Sequence, residues 1–88
     1  PWTKMKLPIG KGQITVSQDS NLVVMYGDGP LKPMAKRWEN AFEKQGYELT
    51  MMYDGDQAST RTFQRKGKRW SVSIVPSQGN LLVSVSAY

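Results

Sequence analysis

Apolar residues in the stretch 31–45 recur at intervals of three and four positions, which places their side chains on one side of an α-helix. The apolar set comprises Leu31, Met34, Ala35, Trp38, Ala41 and Phe42. The opposite, polar side comprises Lys32, Lys36, Arg37, Glu39, Asn40, Glu43 and Lys44. Because an amphipathic helix of about four turns is marginal alone in water, we expect its apolar side to pack on a sheet.

The segments on both sides of the predicted helix have the two-residue period of β-strands. Strands are predicted at 13–17, 22–26, 47–53, 57–65, 69–74 and 81–88. The strand at 22–26, LVVMY, is apolar almost throughout, which favours a position inside the sheet. A solvated sheet face is predicted to carry Thr60, Thr62, Ser71, Ser73, Ser84 and Ser86. The order β-β-α-β-β-β-β predicts a two-layer α+β domain, with one amphipathic helix packed on a mainly antiparallel meander sheet.

The length of the chain, 88 residues, is enough for one modest hydrophobic core and therefore for one domain. Residues 1–12 mix lysines, prolines and glycines with scattered apolar residues. We predict an irregular N-terminal arm at 1–12 and a single α+β domain at 13–88. The residues that are candidates for packing the arm onto the domain are Trp2, Met5, Leu7 and Ile9.

The chain contains neither cysteine nor histidine. This excludes disulfides, thiol nucleophiles, Ser-His-Asp relays and the usual zinc sites. We therefore predict a non-enzymatic protein without catalytic residues, metal or cofactor. No apolar run approaches the roughly 18 to 20 residues that a membrane span needs, so no transmembrane segment is predicted.

The formal net charge is +5, and the positive charge is concentrated in one predicted hairpin. Its five basic residues are Arg61, Arg65, Lys66, Lys68 and Arg69. Phe63 and Trp70 are interleaved with them, and basic residues beside aromatic ones suit phosphate contact and base stacking. The alternative is that both aromatic residues belong to the core, while the charges keep the hairpin solvated or prevent edge pairing.

Acidic residues offer two further candidate sites. Asp54-Gly55-Asp56 superficially suggests a cation loop, but the residues that follow lack oxygen ligands at the spacing of a calcium hand, so we predict a turn. Glu39 and Glu43 lie one helical turn apart with lysine neighbours, so we predict a solvated ion-pair surface rather than a catalytic pair.

Three methionines, Met25, Met51 and Met52, are predicted to fill the core. The alternative is an adaptable apolar groove between helix and sheet. In that case the protein is a ligand carrier with a large cavity beside Trp38 and Met51.

Several short pieces of the chain occur in a recognisable order. They are Tyr26-Gly27, Trp38, Gly46-Tyr47, Thr62-Phe63 and Lys66-Gly67-Lys68. With these pieces, the run 22–88 resembles small domains of bacterial cell-envelope proteins, including lipoproteins and other exported proteins of unknown role. The pieces mark a fold and not a chemistry, so the resemblance implies an exported, non-catalytic domain and no catalytic residue. The lipidated cysteine of a lipoprotein is not among the residues of this chain.

Two functions of different classes remain open. The first is a non-catalytic exported bacterial domain, periplasmic or in the cell envelope, that binds a protein or envelope component through its sheet face or an edge strand. The second is a small basic nucleic-acid-binding domain that uses the hairpin 61–69. A cytoplasmic location is the alternative to the envelope, and the sequence leaves the oligomeric state open.

Overall fold

The computed structural model describes residues 5–18, 20–27 and 29–88, and it confirms the predicted α+β architecture. One α-helix lies on one face of a six-stranded sheet in which all neighbouring strands are antiparallel. The elements are β1 (Gln13–Gln18), β2 (Asn21–Gly27), α1 (Leu31–Lys44), β3 (Glu48–Asp54), β4 (Ser59–Arg65), β5 (Lys68–Ser77) and β6 (Asn80–Ala87).

The order of strands across the sheet is β1-β2-β6-β5-β4-β3. The last four strands form a meander in which each strand pairs with its neighbour in sequence. β2 pairs with β6 instead, so the β1–β2 hairpin extends the sheet on the far side. The chain between β2 and β3, which contains α1, therefore crosses one face of the sheet from β2 to the edge at β3. β2 is an interior strand, as its apolar sequence predicts.

A proline in the first turn and a glycine after the last turn define the two ends of α1. Pro33 is in the first turn, where its missing N–H has no intrahelical acceptor. At the other end, Gly46 has a φ of +86°, in the left-handed region. The N–H of Gly46 donates to the carbonyl of Glu43, and the N–H of Tyr47 donates to that of Phe42. This Schellman arrangement ends the helix and turns the chain back towards the sheet.

The core lies between α1 and the sheet. Trp38 and Phe42 are fully buried, as predicted from the helical stripe. The ring of Phe42 stacks on Phe63 of β4 with centroids 4.5 Å apart, and it meets Tyr47 edge-on at 5.5 Å. Further core residues come from alternate positions of the sheet: Leu22, Val24, Trp70, Val72, Ile74, Leu81, Val83 and Val85. Phe63 and Trp70 are thus core residues and offer no ring face to a nucleic-acid base.

The described part of the N-terminal arm, residues 5–12, packs on the domain. Its apolar residues Met5, Leu7 and Ile9 are partly buried against the core. The hydroxyl of Tyr26 donates to the carbonyl of Ile9 (2.7 Å), and the side chain of Gln45 exchanges two hydrogen bonds with the backbone of Lys6. The prediction for Trp2 lies outside the described residues.

Both edge strands contain a β-bulge with a threonine. In β1, the hydroxyl of Thr15 donates to the carbonyl of Val23 on β2 (3.3 Å). In β3, the hydroxyl of Thr50 donates to the carbonyl of Thr62 on β4 (3.2 Å). A bulge interrupts the row of free backbone groups along an edge, so neither edge is a regular template for an added strand.

Candidate functional site

The basic hairpin joins β4 to β5 through a tight turn at Lys66-Gly67, with φ values of +49° and +79°. Positive φ at both turn residues is typical of a type I′ hairpin. Four of the five predicted basic residues are exposed at this end of the sheet, namely Arg65, Lys66, Lys68 and Arg69. The guanidinium of Arg65 lies 6.0 Å from the centre of the Tyr47 ring, at the distance limit of a cation–π contact.

Arg61, the fifth predicted residue, does not belong to this exposed group. It is only 4% exposed and lies on the helix-facing side of β4. Its Nε donates to Glu39 (2.8 Å), and its two Nη atoms donate to the carboxylate of Asp54 (2.9 and 3.2 Å). The guanidinium is therefore held inside the protein by four hydrogen bonds, one of them to the carbonyl of Thr60, and is not exposed to a phosphate.

Glu39 also differs from its predicted place on the polar side of the helix. It is 6% exposed, and its carboxylate lies between Arg61 and the ammonium of Lys36 (2.8 and 2.9 Å). Hydrogen bonds from Lys36 and Arg61 lower the pKa of Glu39 although burial opposes this. The prediction of a solvated Glu39 was wrong because the buried face of α1 is wider than its apolar residues suggest.

The sequence contains a signal for this ion-pair network that the apolar pattern alone does not show. Ser59, Arg61 and Phe63 share one side of β4 by their two-residue spacing, so an arginine beside a core phenylalanine needs an acidic partner. Glu39 lies about 100° around the helix from Trp38 and about 40° beyond Ala35, so it borders the apolar stripe.

Asp54 ends β3 and completes the network. Hydrogen bonds from Arg61, and then from the hydroxyl of Ser59 (2.9 Å), lower the pKa of Asp54. The loop that follows is a turn, as predicted, in which the N–H of Gly55 donates to the carbonyl of Ala58. With both carboxyl groups held ionised, neither is a proton donor near neutral pH, and the network serves to fix β3, β4 and α1 together.

Contrary to prediction, none of the three methionines belongs to the core. Met25 is half-buried on β2, on the face turned away from α1. Met51 and Met52 lie on edge strand β3, where they are 69% and 50% exposed, and Tyr53 beside them is 62% exposed.

Because of the bulge in β3, Leu49 pairs with Phe63 on the helix side but Met51 pairs with Thr62, so Met51 lies on the face turned away from α1. Met52 pairs with Arg61 at the edge of the sheet. Because Trp38 is fully buried and Met51 lies exposed on the other face of the sheet, the two residues do not line a common cavity, which argues against the alternative of a ligand carrier.

The face of the sheet turned away from α1 is organised in three rows that cross the strands. The first row consists of Gln18, Asn21, Ser86, Ser71, Thr62 and Met51. The second consists of Val16, Val23, Ser84, Ser73, Thr60 and Tyr53. The third consists of Gln13, Met25, Leu82 and Val75. We call these three rows the open face.

None of the residues that form the open face is charged, although charged residues make up 22% of the chain. Its centre is the hydroxyl patch predicted from the sequence, and the Ser86 hydroxyl donates to the Asn21 side chain (2.8 Å). One corner is aliphatic, with Val23 and Met25 beside Leu82. The next row towards the basic hairpin contains charge again, at Glu48 and Arg69.

A second concave surface lies between the arm and the helix. It is a groove of about 610 Å³, and its charged lining residues are Lys6, Arg37 and Lys44. Their side chains are exposed, and Arg37 and Lys44 lie on the predicted polar side of the helix. The groove adds positive potential on the helix side of the domain, away from the open face.

In the part of the chain that the structure describes, no helix combines the length and the apolar character needed to cross a membrane. The same residues contain no group of three or more acidic side chains placed to hold a metal ion. Comparison of the chain with protein-family models, curated proteins and solved structures finds no match, so the function is argued from the geometry of the domain.

Proposed function

We propose that this domain is a non-catalytic binding module that docks a protein partner on its open face. The observation that carries the proposal is the absence of charge from all three rows of that face. A solvated sheet surface normally carries charged side chains, and the central part of a protein interface is depleted in them. The partner surface is expected to be uncharged as well, with small polar and aliphatic side chains.

The open face is a better docking surface than either edge of the sheet. Both edge strands are bulged and have a threonine hydroxyl bonded back into the sheet, which works against strand addition. The open face instead presents short side chains on a surface built by six strands. The opposite face of the sheet is covered by α1, which the ion pairs of Arg61 with Glu39 and Asp54 join to β4 and β3.

The setting we propose is the bacterial cell envelope, with an exported protein and with a protein or envelope component as partner. The support is the resemblance of the run 22–88 to small envelope domains. A reporter fused to the full-length gene product tests this setting. Export of the reporter is the expected result, and retention in the cytoplasm removes the envelope from the proposal.

Nucleic-acid binding is the second candidate, and the observation in its favour is the group of four exposed cations at the basic hairpin. Because Arg61, Phe63 and Trp70 are buried, no aromatic ring of the hairpin can stack on a base, and only electrostatic contacts with phosphates remain for nucleic-acid binding. Such binding weakens steeply with salt, because phosphate contacts release counterions. A mixed-sequence oligonucleotide titrated at several salt concentrations tests it, and no binding at low salt eliminates it.

The main proposal is tested with a photo-crosslinking amino acid placed in living cells of the native host. Position 73 is at the centre of the open face, and position 43 is the matched control, because Glu43 is exposed on α1 outside the groove. A discrete protein adduct from position 73 and none from position 43 is expected. Leu82→Lys in the same chain must abolish the adduct, because it places a charge in the aliphatic corner. Equal amounts of protein adduct from the test position and the control position contradict the proposal.

A further inference from the structure

We infer that the partner on the open face is a second copy of this chain, so that two sheets pack face to face in a symmetric dimer. This inference rests on the proposed function and adds the identity of the partner. The chemistry of the open face, its area and the position of the basic hairpin each bear on it.

The open face is chemically complementary to itself. A charged surface needs a partner of opposite sign, and two copies of it repel each other. A hydroxyl group is both a donor and an acceptor, so Ser73 and Ser84 of the second row can bond to the same residues of another copy. The aliphatic residues Met25 and Leu82 likewise need only another uncharged surface to exclude water. An interface that meets itself across a two-fold axis requires this kind of patch.

The area of the open face is close to the lower limit for a dimer interface. Six strands at a spacing of about 4.8 Å give a width of about 29 Å. Three rows on one face, about 7 Å apart along the strands, give a height of about 20 Å. Because the third row spans only four of the six strands, the planar area is about 520 Å², slightly below the roughly 600 Å² that each partner contributes to the smallest stable interfaces.

The position of the basic hairpin selects one arrangement of the two sheets. Each copy has a formal charge of +5 and four exposed cations at one end of its strands. A two-fold axis perpendicular to the strands places the two hairpins at opposite ends of the dimer and minimises their repulsion. This axis runs along the second row, so Ser73 of one copy faces Ser73 of the other. The result is a β-sandwich flanked on its two outer faces by the helices.

Sedimentation velocity of the purified chain over a range of concentrations tests this inference. The expected species has twice the chain mass of 9.9 kDa. Ser73→Lys introduces two facing ammonium groups, because a symmetric interface contains each substitution twice, and should weaken dimerisation by about a hundredfold or more. Asn40→Lys adds the same charge on the outer side of α1 and should leave the dimer unchanged. Thermal unfolding of both variants checks that they are folded.

Each outcome has a defined meaning. A wild-type chain that is monomeric throughout overturns the inference, and so does a dimer that survives Ser73→Lys. A monomeric chain whose position 73 still crosslinks to a different protein leaves the proposed docking function standing and removes only the second copy. A monomeric chain with no adduct from position 73 removes both. Loss of the dimer in Ser73→Lys but not in Asn40→Lys supports the inference.

Discussion

Replacing Arg61 by methionine tests whether the buried ion pairs stabilise the helix on the sheet. The substitution keeps an unbranched side chain at this position but removes the guanidinium. Glu39, which is 6% exposed, then retains only the exposed Lys36 as a partner. Asp54 has a side chain that is 27% exposed and can regain water. The main cost therefore comes from one buried carboxylate that has lost its inner partner.

The expected magnitude follows from these exposures. Removing one member of a buried ion pair costs about 3 to 5 kcal/mol, and the remaining Lys36 contact places Arg61→Met near about 3 kcal/mol. A domain of this size has a total stability of roughly 4 to 13 kcal/mol, so the loss is a large fraction of it. The corresponding decrease in Tm is about 12 to 24 °C.

Urea unfolding followed by tryptophan fluorescence measures the effect, with Arg69→Met as the control. Arg69 is exposed, and its substitution should change the free energy of unfolding by less than about 0.5 kcal/mol. The double variant Arg61→Met/Glu39→Met removes both buried charges, so it should be about 2 kcal/mol more stable than the sum of the single effects predicts. A loss below about 1 kcal/mol for Arg61→Met, or additivity within about 0.5 kcal/mol, refutes the reasoning.

Three further predictions concern pH, the arm and the helix end. The pKa of Glu39 is lowered in the folded protein, first by the hydrogen bond from Lys36, so its contribution to stability is present above about pH 4.5 and is lost as pH falls through the folded pKa. The free energy of unfolding should therefore fall less steeply with decreasing pH in Glu39→Gln than in the wild type, and equal slopes contradict this. Tyr26→Phe removes the donor to the arm and should cost about 1 kcal/mol while increasing amide hydrogen exchange in residues 5–12, with Tyr53→Phe as an exposed control; unchanged arm protection counts against it. Gly46→Ala places a Cβ in a left-handed conformation and 3.3 Å from the Nε of Arg65, so chemical denaturation should show a loss of about 1 kcal/mol or more; full retention of stability is incompatible with the observed helix end.

The order of elements and most of the core follow from periodicity. The helical stripe through Trp38 and Phe42 and the alternation in β4, β5 and β6 each depend on residues close together in sequence, which is why they can be read from it. The hydroxyl face was also predicted, since Ser71 and Ser73 alternate with core residues. These are local properties of the chain.

The remaining features depend on contacts between distant residues. The ion pair between Arg61 and Glu39 joins β4 to the helix across 22 positions of sequence. The local sequence pattern does not show this contact, so it predicts a solvated Glu39 and an Arg61 in the basic hairpin. The exposure of Met51 depends on the bulge in β3 and on the position of β3 at the edge of the sheet formed by the described residues. The three uncharged rows appear only after strand order and register are known.

The pairing of β2 with β6 has a consequence for how the nascent chain matures. Asn21 and Ser86, which are hydrogen-bonded side by side, are separated by 65 positions. During synthesis, the apolar segment LVVMY of β2 therefore emerges from the ribosome long before its pairing partner β6 has been made. Productive folding must wait for the closing strand, and folding dominated by such distant pairings is slow and leaves apolar segments unprotected meanwhile. We expect the yield of the native domain to increase when a chaperone shields this early segment.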